Sequence, residues 1–510
     1  MLEEERKLGV EPGFTLPDLT GCLPPDGQIV EQPAVTLRAT YFDTPDLRLA
    51  RAGVSLRYRR GDAEPWTVKL PTDSPGARHE ISRRGAPSTI PADLAALVTV
   101  WRRQAELRPA TVVRTVRRAY EMRSASGDVL VELADDAVEV LEGRKVVQRF
   151  REIEVERKSG GRKLLDRVEE ALRAAGAQVG DFVPKHVRAL GPAATGPPDL
   201  PAAEPVKPRE ATAGDVVTAA LRRDVARILT HDPLIRLRAP VGDNDTAVHQ
   251  MRVGCRRLRS DLRTFAPILD SGWVREMRDE LSWLADQLGA ARDAEVLRAR
   301  LHVTAKADPL APPDEAAVAR IDAELAGRYD DALNALDKSL VSDRYVSLVD
   351  TLLEVAQHPR FAGPAGAPAS EVLPRLVAKP WRRLAYGGRG VDGASDLDPA
   401  APDERWHAVR INGKRARYAV EAVAGVLGGS AAALGTALAG VQELLGEHQD
   451  AAIAASTWLA IAAADPSDHQ LAVTAGRLYE RERATIPRIR TAFPEAWRAA
   501  DRKKLTDWLP

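Results

Sequence analysis

A chain of 510 residues is longer than one ordinary hydrophobic core organises, so two to four domains are expected. Hydrophobic residues make up 44% and charged residues 29%, a soluble globular composition that excludes a disordered polymer. Lysine and arginine (73) balance aspartate and glutamate (73), which argues against a generic nucleic-acid binder, although a neutral total can conceal separated patches.

The two cysteines, Cys22 and Cys255, are far apart, so neither a disulfide framework nor a Cys/His zinc site can be built, and a reducing cytoplasm is the expected compartment. The chain opens on acids where a secretory leader would carry bases and then an apolar run. Its least polar runs, 425–441 and 451–464, are Ala/Gly-rich and too short for a convincing membrane span; they read as buried bundle helices, and no membrane partner is expected.

If Met1-Leu2-Glu3-Glu4-Glu5-Arg6-Lys7 is a strand, alternation puts Glu3, Glu5 and Lys7 on one face. Two carboxylates on a shared face are hard oxygen ligands for Mg²⁺ or Mn²⁺, and a lysine beyond them suits a phosphate. Short β-branched or aromatic runs follow at 35–42, 54–60, 66–70, 111–120, 129–133 and 151–157, divided by Gly, Pro and Asp. Helices are expected only at 92–105 and 162–174.

Charges alternate within these strands: Arg57 and Arg59 flank Tyr58, Glu152, Glu154 and Glu156 flank Ile153 and Val155, Arg78 and Glu80 lie two apart, and Lys69 sits in Trp-Thr-Val-Lys-Leu. One such face would be ordinary solvation. Repetition from strand to strand, acids in some and bases in others, points to a closed antiparallel barrel with a polar interior. Such a cavity suits a metal together with a polyanion.

Glu3-x-Glu5-x-Lys7 resembles the ExExK signature of the CYTH family, the triphosphate tunnel metalloenzymes. Tyr41-Phe42-Asp43-Thr44-Pro45, Gly53-Val54-Ser55-Leu56-Arg57-Tyr58-Arg59, Trp66-Thr67-Val68-Lys69, Arg78-His79-Glu80, Arg117 before Tyr120, Glu132 with Asp136, Glu152 to Glu156 and Lys185 follow in the family's order. The resemblance implies an eight-stranded antiparallel tunnel. It makes Glu3, Glu5, Glu152 and Glu154 metal ligands, and Lys7, Arg57, Arg59, Lys69, Arg117 and Lys185 phosphate-binding residues. Glu80, Glu132, Asp136 and Glu156 would position water, bind a second metal or hold arginines, and together with Lys7 they form the candidate catalytic set. Arg78 and Arg114 would either join the phosphate-binding residues or pair outward. Pro184 stands before Lys185 where the family has a small polar residue.

The barrel domain is expected to span 1–190, followed by a Pro/Ala-rich, semi-extended linker at 191–213. Beyond it, helical periodicity predicts helices at about 214–231, 245–267, 273–303, 315–338, 342–357, 370–388, 403–427, 431–463 and 466–490. They make an all-α bundle region over 214–505.

That region repeats itself, as about 214–358 and 368–500. His249-x-x-Arg252-x-x-x-Arg256-Arg257-x-Arg259 recurs as His407-x-x-Arg410-x-x-x-Lys414-Arg415-x-Arg417, an offset of 158 residues (407 minus 249). Leu288-Gly289-x-x-Arg292-Asp293 recurs as Leu445-Gly446-x-x-Gln449-Asp450 at 157 (450 minus 293), so the bundle is duplicated. At about 100° per residue, His249, Arg252, Arg256 and Arg259 share an arc of about 80°, and Arg263 joins them. Met251, Leu258, Leu262 and Phe265 take the opposite face, as do Val409, Ala416, Val420 and Val423 in the second copy. A solvated face would mix signs, because like charges four apart repel; a face of bases, reinforced by Arg257 or Arg415, is built for a polyanion.

These motifs resemble the CHAD domain, which implies two pseudo-symmetric four-helix bundles facing each other across a basic surface that binds inorganic polyphosphate. The expected function is therefore Mg²⁺- or Mn²⁺-dependent hydrolysis of inorganic triphosphate beside a polyphosphate-binding module. The alternatives are a targeting protein with an idle tunnel, or a tunnel acting on thiamine triphosphate or ATP. Nucleic acid is a competing polyanion for the helical face. The expected location is cytoplasmic, with association to polyphosphate granules as an added option.

Overall fold

The computed structural model of the chain describes residues 2–72, 77–178, 183–242, 245–388 and 390–510, and for Leu2 and Glu3 it describes the backbone alone. The chain divides into two compact units, Met1–Asp199 and Leu200–Pro510.

The first unit is built on nine strands: β1 (Leu2–Val10), β2 (Gln28–Glu31), β3 (Val35–Asp43), β4 (Ser55–Arg60), β5 (Trp66–Pro71), β6 (Ala77–Arg83), β7 (Arg108–Arg123), β8 (Val129–Glu142) and β9 (Lys145–Arg157). Eight of them close an antiparallel barrel in the order β3-β4-β5-β6-β1-β9-β8-β7, with β7 pairing back onto β3. The ninth, β2, lies against residues 120–123 of β7, and β3 takes over that edge from Arg117 onward. Two short strands thus share one wall.

Register sorts the charges. Lys7 lies opposite Glu154, Glu5 opposite Glu156, Lys69 opposite Glu80, and Arg117 opposite Asp136, which itself faces Glu152. Each pair is inward, so acids and bases meet inside the barrel by alternation alone. The apolar faces point outward, and Leu8, Leu133, Ile153 and Val155 pack under helix α4 (Arg162–Ala174), which contributes Leu164, Leu165, Val168 and Leu172.

Short helices decorate the barrel: α1 (Arg48–Arg51), α2 (Ala92–Leu97), α3 (Thr99–Arg102) and, after α4, α5 (Lys185–Leu190). The single helix expected at 92–105 is therefore two, and Arg103 follows them at a φ of 52°. Asp43 accepts the backbone N–H groups of Thr44, Leu49 and Ala50 at 2.7, 3.0 and 2.9 Å, so the Tyr-Phe-Asp-Thr-Pro motif folds the β3–α1 turn. The first part of the expected linker is not free: Asp199 takes Arg51 at 2.7 Å and Arg103 at 2.6 Å, pinning this stretch to the first unit.

The second unit is helical: α6 (Ala213–Leu237), α7 (Ala247–Thr264), α8 (Ser271–Ala305), α9 (Glu315–Leu340), α10 (Asp343–Gln357), α11 (Ala369–Tyr386), α12 (Asp403–Leu427), α13 (Gly429–Ala464) and α14 (His469–Ala500). The order α6–α9 recurs as α11–α14, with α8 and α13 of 35 and 36 residues. Side-chain oxygens of Thr212, Thr246, Asp270, Asp314, Ser342 and Asp468 cap six of the N-termini. Met251, Leu258, Leu262 and Phe265 of α7, like Val409, Ala416, Val420 and Val423 of α12, are fully buried. The two halves share a core in which Leu301, Ile321 and Leu325 pack with Ala454, Trp458 and Leu478. Among the described residues, no helix is long and apolar enough to cross a membrane.

Candidate functional site

The barrel encloses a cavity of about 260 Å³. Eight bases line it (Lys7, Arg57, Arg59, Lys69, Arg78, Arg117, Lys158, Lys185) against five glutamates (Glu5, Glu80, Glu132, Glu154, Glu156). Asp136, Glu152 and Asp62, beside or behind the lining, pair with Arg117, Lys185 and Arg59, so acids hold converging cations that an anionic ligand would meet.

Glu154 is the hub. Lys7 Nζ lies 2.8 Å from it, Arg117 Nη2 2.7 Å and Lys185 Nζ 3.6 Å. Burial alone would raise its pKa, but Lys185, Lys7 and Arg117 hold it well below the usual carboxylate range. Burial would likewise lower the Lys7 pKa, yet Glu154, Glu5 and Glu152 keep it well above the ordinary value. Lys185 is raised in the same way by Glu154, Asp136 and Glu152, against the effect of burial. Glu154, Lys7 and Lys185 therefore stay ionised across the neutral range.

Asp136 is fully buried, and Arg117 grips it with two hydrogen bonds of 2.8 and 2.7 Å while Lys185 donates a third of 2.5 Å. Its lone pairs are spent on holding cations in place. Oxygens of Asp136, Glu152 and Glu154 lie within 4.8 Å of one another, a spacing a metal ion could use, but Lys185 Nζ already sits among them. The better fit is to the less committed acids. Glu5 Oε1 and Glu152 Oε1 are buried and accept no hydrogen bond, with a lysine ammonium 3.4 Å from each. Buried carboxylate oxygens lacking hydrogen bonds are the donors a hard divalent cation takes. Glu3 lies outside the residues whose side chains are described.

Elsewhere on the wall, Lys69 pairs with Glu80 at 2.7 Å, and Arg57 approaches the same carboxylate at 3.9 Å. Arg59 is held by Asp62, and Arg78 donates to the Gly53 carbonyl at 2.7 Å. Lys158 joins Glu156 at 2.5 Å and Glu132 at 3.6 Å. His186 stacks on Tyr41 with ring centroids 5.3 Å apart; burial, then the nearby Lys7 and Arg78 charges, push its pKa down to about 3, so it is neutral.

The second unit carries its own concentration of charge, a cleft of about 1050 Å³ lined by α7, α8, α12 and α13. Every base and histidine marked in the two repeated motifs lines it, from His249 to Arg263 and from His407 to Arg417. The duplicated motifs contact one another in the same way in each half: Arg252 lies 3.4 Å from Asp293 and Arg410 3.8 Å from Asp450. Burial, then the surrounding guanidinium groups, push Lys414 down to about 7 and Arg415 to about 10. His249 falls to about 4 through burial and Arg292, and His407 Nδ1 lies 2.6 Å from Gln449 Oε1. His249 is thus neutral near pH 7, and His407 is oriented by the residue related by duplication to Arg292.

Residues 1–186 match the CYTH domain and 219–460 the CHAD domain. Uncharacterized protein Rv2226 of Mycobacterium tuberculosis strain H37Rv is 31% identical over 527 aligned residues, covering 98% of this chain and 96% of its own. Among solved structures, PptA from Streptomyces chartreusis aligns at 24% identity and a TM-score of 0.44, over 56% of this chain and 100% of its own. The CHAD domain from the plant Ricinus communis aligns at 25% and 0.43, over 57% of this chain and 96% of its own. The chain belongs to the CYTH–CHAD proteins.

Within the CYTH tunnel the structure brings together Glu5, Lys7, Arg57, Arg59, Lys69, Arg78, Glu80, Arg117, Glu132, Glu154, Glu156 and Lys185, with Asp136 and Glu152 buried close behind. Arg114 is a correction. It points outward and is half exposed, bonding Glu139 at 2.6 Å, because a residue three positions from the inward Arg117 must face the other side of the strand. Lys158 lies outside the expected set, although it continues the alternation of Glu152, Glu154 and Glu156. In the CHAD cleft the additional bases are Arg227, Arg278 and Arg292, which lie outside the repeated basic helix motif.

Proposed function

We propose that the CYTH tunnel hydrolyses inorganic triphosphate and that the CHAD cleft binds inorganic polyphosphate. The observation that carries the first half is the convergence of eight bases beside buried glutamate oxygens that lack hydrogen bonds. Arg57, Arg59, Lys69 and Arg78 would grip phosphate oxygens, guanidinium forks matching them two at a time and the ammonium as a point charge. Lys7, Arg117 and Lys185 would draw charge from the reacting phosphate while Glu154 and Asp136 hold them in place. Glu5, Glu152 and Glu154 would hold Mg²⁺ or Mn²⁺, which when bound supplies charge neutralisation and a more acidic water. Among the described residues, Tyr41 and His186 are the aromatic rings on the wall, and they stack on each other, so this part of the lining offers no platform for a base or a thiazole. Inorganic triphosphate should accordingly be turned over faster than ATP or thiamine triphosphate. A panel of these substrates and long polyphosphate, with Mg²⁺, Mn²⁺ or chelator, tests this by phosphate release. Equal rates for ATP, or release that persists in chelator, would reject it.

For the cleft, the supporting observation is the crowding of bases, of which Arg256, Arg259, Arg263, Arg278, Lys414 and Arg415 have no carboxylate partner among the described residues. Among the described residues, Tyr418 is the Phe, Tyr or Trp ring in its lining, and it lies buried beneath the Arg257 guanidinium at 4.6 Å, so it offers no open face for a nucleobase. Lys414 makes a pH test available. Its pKa of about 7 in the free cleft rises when a polyanion replaces repulsion with attraction, so binding takes up a proton. Affinity should be greatest below pH 7 and fall by up to about tenfold per pH unit above it, until the bound-state pKa is reached. Lys414→Arg should flatten that slope. Calorimetry in buffers of different ionisation enthalpy reads the proton uptake directly. A protein with polyphosphate-binding CHAD modules would concentrate where that polymer accumulates.

A further inference from the structure

The duplicated halves of the cleft are not electrostatic twins. Displacement by 158 residues relates Arg257 to Arg415, Arg259 to Arg417 and Arg263 to Glu421. The single acid changes one end completely. Glu421 takes Arg257 at 2.5 Å and Arg417 at 2.6 Å, and Tyr418 lies under the Arg257 guanidinium, so that end neutralises itself.

At the other end no acid bridges the bases among the described residues: Glu443 of α13 lines the cleft but forms no ion pair with any of them. Arg259, Arg263, Arg278 and Arg415 line the cleft together, and Arg383 of α11 stands close enough to Arg263 and Arg415 to add its repulsion to theirs. None of these five has a carboxylate partner among the described residues. Arg278 Nε is buried without any hydrogen bond. The backbone makes room for the crowding: a Cβ at Gly388 would come within 2.7 Å of Arg383 Nη1. Arg278 and Arg383 lie on helices that carry no part of the duplicated basic motif, so duplication does not account for their presence. Five like charges held together repel one another, and an anion among them would relieve that repulsion.

We infer that the cleft is polarised: Arg259, Arg263, Arg278, Arg383 and Arg415 form an anion subsite that seats the phosphates at one end of a bound polyphosphate chain, while the Arg257–Glu421–Arg417 end stays closed to them. The inference rests on the polyphosphate-binding reading and adds the direction in which the chain leaves the centre of the cleft.

Titration calorimetry of the full-length protein with short linear polyphosphate near physiological salt tests it. Arg278→Gln with Arg383→Gln should weaken binding about tenfold or more, and the matching double lysine variant should recover most of that loss. Arg257→Gln with Arg417→Gln should change affinity less than threefold, and Glu421→Gln, which frees both arginines, should tighten it. Equal losses from the two double glutamine variants, or weaker binding by Glu421→Gln, would show a symmetric surface and overturn the inference. Loss of single-stranded RNA binding with polyphosphate binding unchanged would overturn the assigned ligand. Failure of the unaltered protein to bind polyphosphate would instead reject the underlying reading, and the inference with it.

Discussion

Glu5→Gln is expected to lower metal-dependent turnover of triphosphate by about 10²- to 10³-fold, or ~3–4 kcal/mol of transition-state free energy, with the fold preserved. The structure explains why this position separates chemistry from stability. Glu5 Oε1 accepts no hydrogen bond and has Lys7 at 3.4 Å, so an amide of the same shape gives up little. Glu154→Gln would be the wrong experiment for that purpose. It strips a common partner from Lys7, Arg117 and Lys185, and breaking a buried ion network costs on the order of 3–5 kcal/mol. Neutralising Glu5 also raises the positive potential around bound triphosphate, so KM should hold steady or fall while kcat drops. Steady-state kinetics across Mg²⁺ concentrations, beside a thermal melt, reads both. Unchanged kcat would remove Glu5 from the metal-binding set; a collapsed melting temperature would make it structural.

Much of the tunnel is legible because its device is alternation, and alternation survives in a single sequence. Arg57 and Arg59, Lys69, and Glu152 to Glu156 can be placed on one inward face before any strand is paired. Arg114 is left open between a phosphate-binding and an outward role, although the odd separation from Arg117 alone forces the two to opposite faces. Strand β2 is missing from the expected set, and β6 enters it only through the alternation of Arg78 and Glu80. β2 is four residues long, and β6 spends its inward face on Arg78 and Glu80, so neither shows an apolar rhythm. Helices α6–α14 of the second unit stand out through sustained periodicity, and the core faces of α7 and α12 are those the sequence predicts. Arg278 and Arg383 are not recoverable from periodicity, since only tertiary packing brings them beside the duplicated basic motif, whereas Arg292 is marked by the second repeat. The role of Asp136 is of the same kind. A sequence offers an acid on a strand; the three hydrogen bonds that commit it to Arg117 and Lys185 arise from barrel closure.

Substituting glutamine for Arg252, Arg256, Arg410 and Lys414 together should weaken polyphosphate binding by on the order of 10⁴-fold, since each charge-assisted hydrogen bond to phosphate is worth ~1.5 kcal/mol or more. The same variant should be no less stable than the parent, and more stable at pH 6. Burial and mutual repulsion lower the Arg252, Arg410 and Lys414 pKa values in the free cleft, so folding disfavours their charged forms. For Lys414 the sign is definite. Its folded pKa of about 7 lies below the ordinary lysine value of 10.5, so the penalty is complete below pH 7 and fades as pH rises toward 10.5. Removing it should therefore raise the melting temperature most at low pH and least in alkali. Polyphosphate should reverse the ranking, raising the melting temperature of the parent by mass action and leaving the variant unmoved. A structural role for these bases predicts the opposite, a variant that melts early at every pH with or without ligand. Melting curves at pH 6 and 9, each with and without polyphosphate, distinguish a surface strained to receive an anion from one that merely carries charge.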